Sequence, residues 1–457
     1  DVLSSMLVDS QGNAYFIGET KSFFDKTYGD ILVVKLKQDG SLAWAKTLGT
    51  NEDDGVKGYI DGEHGGPARM AALGPDGSLY IAGRTSVKGR REPQGAILFK
   101  VTSTGDLAWS QIWRPHWNPQ MNGQAWGSVV AVSGNKVYLA GSTGAGQTSE
   151  EGMIFLASFD AATGQQKSIL AVDPNPTVND RVFSIIAHGN NITLAGWNGK
   201  TNRGQLSQFT DDGSKLTHLW TKRVPLSSTG STLCDIDRDT QGNFYLAGDI
   251  HGAGTNIEIV KLGPDFNFIW SRRYNTGASN DKNNTRTVRV MGDKIVVGGR
   301  IGYSGTQTDA DRQFGDSLLL VYSPEGAILK ELYHFTGTAI DVVAMDDTTS
   351  VGSFGKTLYV GGYIWPYTMN HVGQWRNASS FNVKRISTEG TAGEYVFDDV
   401  GVAKMVDLSA VAAKPGSSFD SLAWKDVLPQ MFIGTPVEAS AKGRQTQFYL
   451  FGIDGIL

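Results

Sequence analysis

An all-β fold, a β-propeller of four-stranded antiparallel blades, is what this sequence predicts, and three observations predict it. One short pattern recurs along nearly the whole chain. Glycine is abundant, 57 of 457 residues, while proline is modest at 14, a balance suited to many short strands joined by tight turns. Between the turns, apolar and polar residues alternate with the period of a strand.

The recurring unit begins with an apolar strand and a polar turn, and then runs into a second strand that ends in glycine. Its first copy is Val8-Asp9-Ser10-Gln11-Gly12-Asn13-Ala14-Tyr15-Phe16-Ile17-Gly18. Six further copies end at Gly83, Gly141, Gly196, Gly248, Gly299 and Gly362, with 51 to 65 residues between successive glycines. A second half follows each copy: Asp30 to Leu36 before Asp39-Gly40 and Trp44 is the prototype. Ile97 to Val101 before Gly105 and Trp109, Ile257 to Leu262 before Trp270, and Leu318 to Tyr322 before Gly326 repeat it, and Gln205 to Phe209 before Gly213 and Trp220 is a looser copy. At the tail, Gln430 to Gly434 and Gln447 to Phe451 read as the second and third strands of an eighth unit.

Such a unit exposes an apolar face on each side, so it must stack on neighbours, and a closed ring leaves no unpaired end. Residues 1–457 are therefore read as one domain with units 1–50, 68–113, 125–172, 180–224, 231–274, 285–335, 338–400 and 418–457. Eight blades, the last incomplete, are expected; seven blades plus a packed C-terminal extension are the alternative.

The wording of the repeat, Asp-x-x-Gly-Asn-x-Tyr-x-x-Gly-x-Thr, then Asp-Ile-x-Val-x-Lys-Leu, then Gly-x-x-x-Trp, resembles the SBBP-type β-propeller repeat of bacterial cell-surface and secreted proteins. The match is tightest over residues 1–50 and 231–272, and the units around Gly196 and Gly362 depart from it. The resemblance implies the fold and an extracellular, cell-surface or periplasmic setting. It implies no chemistry, because one fold hosts many functions.

Composition narrows the partners. A formal net charge of -5 and a longest basic cluster of Lys88, Arg90 and Arg91 supply no field for nucleic acid. Cys234 is the only cysteine, which excludes an internal disulfide and cysteine-based metal or haem motifs. No run approaches the length of a membrane-spanning helix. The chain opens at Asp1 without a signal-like segment, which fits removal of a secretory signal or a trimmed start.

Function is expected on the face where loops between second and third strands gather around the channel. Trp113, Trp117 and Trp126, and a second set of Trp365, Tyr367 and Trp375, are candidate ligand-binding rings for a glycan or a protein partner; local mini-cores are the plainer reading. Residues just past the motif glycines, among them Glu19, Arg84, Trp197, Asp249 and Arg300, predict a mixed charged ring at the channel mouth. Asp235, Asp237 and Asp239 alternate along one strand and are the candidate calcium ligands, although a solvated channel-facing strand accounts for them more simply. No cofactor is otherwise expected. His116, His371, Tyr363 and Arg300 supply the residue types of a propeller-fold polysaccharide lyase acting on an acidic, uronate-containing glycan, without a catalytic spacing. The leading expectation is an extracytoplasmic binding module, with that lyase as the alternative.

Overall fold

The structure is a computed structural model. It describes residues 2–20, 30–49, 53–56, 69–86, 95–113, 125–143, 153–173, 180–199, 201–224, 230–251, 255–275, 282–303, 316–337, 347–354, 357–363, 372–377, 386–389, 404–407, 423–426 and 450–454.

Short alternating segments separated by glycine turns form antiparallel meanders. The first blade is β1 (Val2–Val8), β2 (Ala14–Thr20), β3 (Asp30–Leu36) and β4 (Leu42–Gly49). In the second, the inner strand is split into β5 (Asp53–Gly55) and β6 (Ala71–Leu73), both paired with β7 (Leu79–Ser86), followed by β8 (Gly95–Val101) and β9 (Leu107–Trp113). The third comprises β10 (Ala125–Ser133), β11 (Lys136–Thr143), β12 (Met153–Asp160) and β13 (Gln166–Asp173); the fourth β14 (Asp180–His188), β15 (Asn191–Asn198), β16 (Arg203–Asp211) and β17 (Leu216–Val224). The fifth holds β18 (Ser231–Arg238), β19 (Phe244–His251), β20 (Thr255–Leu262) and β21 (Phe268–Asn275), and the sixth β22 (Lys282–Met291), β23 (Lys294–Tyr303), β24 (Asp316–Tyr322) and β25 (Ile328–Gly337).

A seventh sheet has three described strands: β26 (Asp347–Phe354), β27 (Thr357–Tyr363) and, from the far end of the chain, β32 (Leu450–Asp454). Between them in sequence, β28 (Val372–Asn377), β29 (Ile386–Glu389), β30 (Lys404–Asp407) and β31 (Ala423–Asp426) add to the outer strands of the sixth, fifth, third and first blades. Outer strands otherwise present open hydrogen-bonding edges, which such additions cover.

The chain is therefore an all-β propeller with six four-stranded antiparallel blades, not the eight expected. The reason lies in packing. Seven apolar clusters, one between each neighbouring pair of sheets, complete the circle: Val351, Leu358 and Val360 pack on Val296 and Leu319 of the sixth blade, and Phe354 and Tyr359 pack with Leu3 and Phe16 of the first. The seventh sheet already fills the wedge between sixth and first, so no gap remains for an eighth. Its third strand is β32, which draws on residues expected in the eighth unit, and Gln430 to Gly434 lie outside the described residues.

Both faces of a blade are buried, so a middle strand such as β8 is buried at all seven residues and is apolar but for Lys100. Polar clasps add directionality between blades. Tyr80, Lys100 and Trp109 stand side by side on β7, β8 and β9, and the Tyr80 hydroxyl, Lys100 ammonium and Trp109 Nε1 all donate to the Ala161 carbonyl of the third blade, at 3.1, 2.9 and 3.2 Å. Lys35 and Trp44 do the same to Ser103, and Lys261 and Trp270 to Pro324. The indole lies against a glycine of the receiving turn: a Cβ on Gly105 would sit 2.9 Å from Trp44 Cδ2, and one on Gly164 2.6 Å from Trp109 Cδ2.

Candidate functional site

The repeat motif itself turns out to be a folding device. Asp9 Oδ1 accepts the backbone N–H groups of Gln11 and Asn13, and its other oxygen accepts Asn13 Nδ2 and the Tyr15 hydroxyl. Asp239 does the same with Gln241, Asn243 and Tyr245. This is an aspartate-capped turn, in which the carboxylate replaces missing backbone acceptors. Asp239 therefore sits past the end of β18, apart from the two aspartates with which it was grouped.

Asp235 and Asp237 do face one side, into the channel, and what they meet there is cationic. Arg69 reaches from the second blade across the channel to the fifth, with Nε 3.1 Å from Asp235 Oδ1 and Nη2 2.9 Å from Asp237 Oδ1. The second and fifth blades stand three places apart around the wheel, on opposite sides, so this ion pair crosses the bore. Arg289 Nη1, Ser184 Oγ, Thr287 Oγ1 and the Val288 N–H also donate to Asp235, from the fourth and sixth blades. Burial alone raises the Asp235 carboxyl, but the Arg289 and Arg69 guanidiniums and these donors outweigh it and hold the group below the usual carboxylate range. The arrangement is a structural bridge: both carboxylate oxygens are occupied and two positive charges stand where a calcium ion would have to sit. No cluster of three metal-ligating side chains occurs among the described residues.

At the channel mouth, two of the residues past the motif glycines, Glu19 and Asp249, pair with the next blade. Glu19 lies 4.0 Å from Arg84, first blade to second. Asp249, fully buried, accepts the Thr285 N–H at 2.7 Å and Asn284 Nδ2 at 2.9 Å from the sixth blade; burial raises its carboxyl to about 6 against these donors. Arg300 donates to Asn284 Oδ1 at 3.3 Å. The Glu19 and Asp249 contacts are inter-blade joints, the Arg300–Asn284 contact ties β22 to β23 within the sixth blade, and Asp249 is too deep to meet a ligand. Trp197 differs: it is part-exposed, its Nε1 donates to Asn202 Oδ1 at 2.9 Å, and the Arg181 guanidinium lies 5.3 Å from its ring centre.

The other aromatic candidates divide. Trp113 is only 6% exposed and packs 4.6 Å from the Phe155 ring between the second and third blades, so it is core rather than binding surface. Trp126 lies in β10 opposite Ser142, and Tyr363 ends β27 opposite Asp347. Trp375 is on β28 against the outer strand of the sixth blade, not in a loop of the channel face. Trp117, Trp365, Tyr367, His116 and His371 lie outside the described residues. Arg300, another of the lyase candidates, donates to Asn284.

Sequence reasoning missed two features. Arg69 and Arg289 carry no motif, although Asp237 in place of the apolar Leu7 signals an unusual channel position. The second is a concavity of about 360 Å³ between the fourth and fifth blades, walled in part by Trp220, Phe244 and Phe266. Phe266, where neighbouring turns carry glycine, was its visible sign.

No family model matches this sequence, and no curated protein matches it either. Among solved structures, the chain is similar to a protein of unknown function from Dyadobacter fermentans, at 12% identity over 72% of this chain and 92% of that one, TM-score 0.41. It is also similar to the β-propeller domain of the Trilobed protease from Pyrococcus furiosus, at 8% identity over 84% and 94%, TM-score 0.41. The endosialidase of phage phi92 matches at 11% identity over 97% of this chain and 74% of that one, TM-score 0.42. Among the described residues no helix is long and apolar enough to cross a membrane.

Proposed function

We propose that this propeller is an extracytoplasmic binding module that presents its loop face to a glycan or a protein partner. One observation carries the reading: Trp197 stands part-exposed at the channel mouth, held by Asn202 at its edge and by Arg181 over its ring. An aromatic ring fixed in place with polar flanks loses little entropy on contact and stacks on sugar or partner faces. The bore behind it is bridged by Arg69 and Asp235, so a ligand rests on the face rather than passing through. The extracytoplasmic setting is supported by the wording of the repeat, and no described arrangement favours the lyase alternative.

The test is a glycan array probed with the wild-type chain and Trp197→Ala. The proposal expects bound glycans whose signal falls about tenfold in the variant, as loss of one stacked ring requires. An array without any Trp197-dependent signal removes the glycan form of the proposal.

A further inference from the structure

Between the fourth and fifth blades the inter-blade clasp is broken. Thr193, Gln208 and Trp220 stand side by side on β15, β16 and β17, in the register where the first, second and fifth blades place Tyr, Lys and Trp. The receiving turn is altered as well. Phe266 occupies the place held by Gly40, Gly105 and Gly326, each donating its N–H three residues back, and keeps the left-handed backbone, φ 61°. A residue with a Cβ is held there at a cost of about 1–2 kcal/mol. Its ring stacks on Phe244 at 4.4 Å and meets Trp220 edge-on at 4.8 Å, where the other indoles lie against glycine.

Two consequences follow for hydrogen bonding. Trp220 Nε1 and the Pro264 carbonyl, whose counterparts Trp270 and Pro324 bond at 3.0 Å, have no hydrogen bond among the described residues. Gln208, with Thr193 donating to its Oε1 at 2.7 Å, brings no ammonium to that carbonyl. What remains is a space of about 360 Å³ lined by Asn191, Thr193, Gln208, Trp220, Pro264 and Phe266.

We infer that this groove is a binding site for a phenol, a hydroxylated aromatic ring supplied from outside the repeat. The molecule itself shows what fits. At the joint of the second and third blades the phenol of Tyr80 fills the equivalent space beside Trp109, ring centres 5.8 Å apart, and donates its hydroxyl to the turn carbonyl. The fourth blade keeps the aromatic wall and the acceptor and lacks the phenol. Retained backbone strain at Phe266 is the kind that persists where a shaped wall is needed. The groove lies at the opposite end of the blades from Trp197, so it is independent of the loop-face reading.

The full chain labelled with 5-fluorotryptophan, followed by fluorine NMR, tests this. 4-Methylphenol should shift the Trp220 resonance with saturation and a Kd on the order of 1 mM, and toluene should bind about tenfold more weakly for want of the hydroxyl. N-acetyl-tyrosinamide binding tighter than 4-methylphenol would point to a tyrosine of a peptide; equal or weaker binding would point to a free phenol. Thr193→Tyr combined with Gln208→Lys restores the clasp and should abolish the shift while leaving other tryptophan resonances in place. Should that variant not fold, Phe266→Gly, which lets the indole reach Pro264, should abolish it too. No saturable Trp220 shift up to about 20 mM, toluene binding as well as the phenol, or an undiminished response in the filled variants would overturn the inference. Failure of the glycan array leaves it standing.

Discussion

Asp235→Asn is the sharpest probe of the bridged channel. The side chain is fully buried and accepts from Arg69 at 3.1 Å, Ser184 at 2.6 Å, Val288 at 2.8 Å and Thr287 at 3.2 Å, besides Arg289. Asparagine keeps the shape but removes the charge between two guanidiniums only 18% and 15% exposed. It also turns one acceptor into a donor that faces donors. Breaking a buried ion pair from one side costs about 3–5 kcal/mol. With a urea slope of about 3 kcal/mol/M, the unfolding midpoint falls by more than about 1 M at unchanged slope. Asp239→Asn is the control, since asparagine still caps a turn, and its loss should stay near about 1 kcal/mol. A loss below about 1 kcal/mol for Asp235→Asn, or one equal to the control, would refute the claim that this carboxylate holds three blades and a cross-channel arginine together.

Asp249 makes stability depend on pH in the opposite sense from Asp235. Its folded carboxyl is raised to about 6 by burial, so the folded chain binds the extra proton and its contribution is complete below about pH 4 and lost as pH rises through 6, by at most about 3 kcal/mol. Thermal melts of wild type and Asp249→Asn between those values should diverge accordingly, and parallel profiles would remove the effect. Gly164→Ala tests the clasp: φ 72° and a Cβ 2.6 Å from Trp109 predict a loss of about 2 kcal/mol or more, against about 1 kcal/mol for Gly189→Ala, where φ is 58° and nothing lies within 4 Å. Equal losses in chemical denaturation would mean that the indole does not press on the turn.

The wheel was legible because its cause is local. Each unit carries apolar residues on both faces, as β8 shows, so stacking was forced before any contact was known. The blade number was not legible, since a strand such as β32 (Leu450–Asp454) can complete a sheet begun as far back as Asp347, and sequence order does not reveal that. Asp9 and Asp239 illustrate the same division: the motif was visible, while its role as a turn cap needed the geometry of Asn13 and Tyr15. At the site, residue types misled where burial decided. Trp113 and Asp249 have the chemistry of a binding surface and are packed inside inter-blade joints. Thr193 and Phe266 depart from the residue types of the other units, yet their meaning depends on Trp220 and Pro264, which only the fold brings beside them.

The central claim is that the units close on themselves, and residues 8 and 352 test it most directly. A Cβ built on Gly352 lies 3.3 Å from the Val8 Cβ, just under the spacing of a disulfide, and the native Cys234 is buried. Val8→Cys with Gly352→Cys should therefore oxidise to an intramolecular crosslink in the folded protein, giving a faster-migrating species without reductant, and should fail to do so in urea. A folded double variant that keeps two reactive thiols at these positions under the same oxidation would contradict closure between the first blade and the seventh sheet.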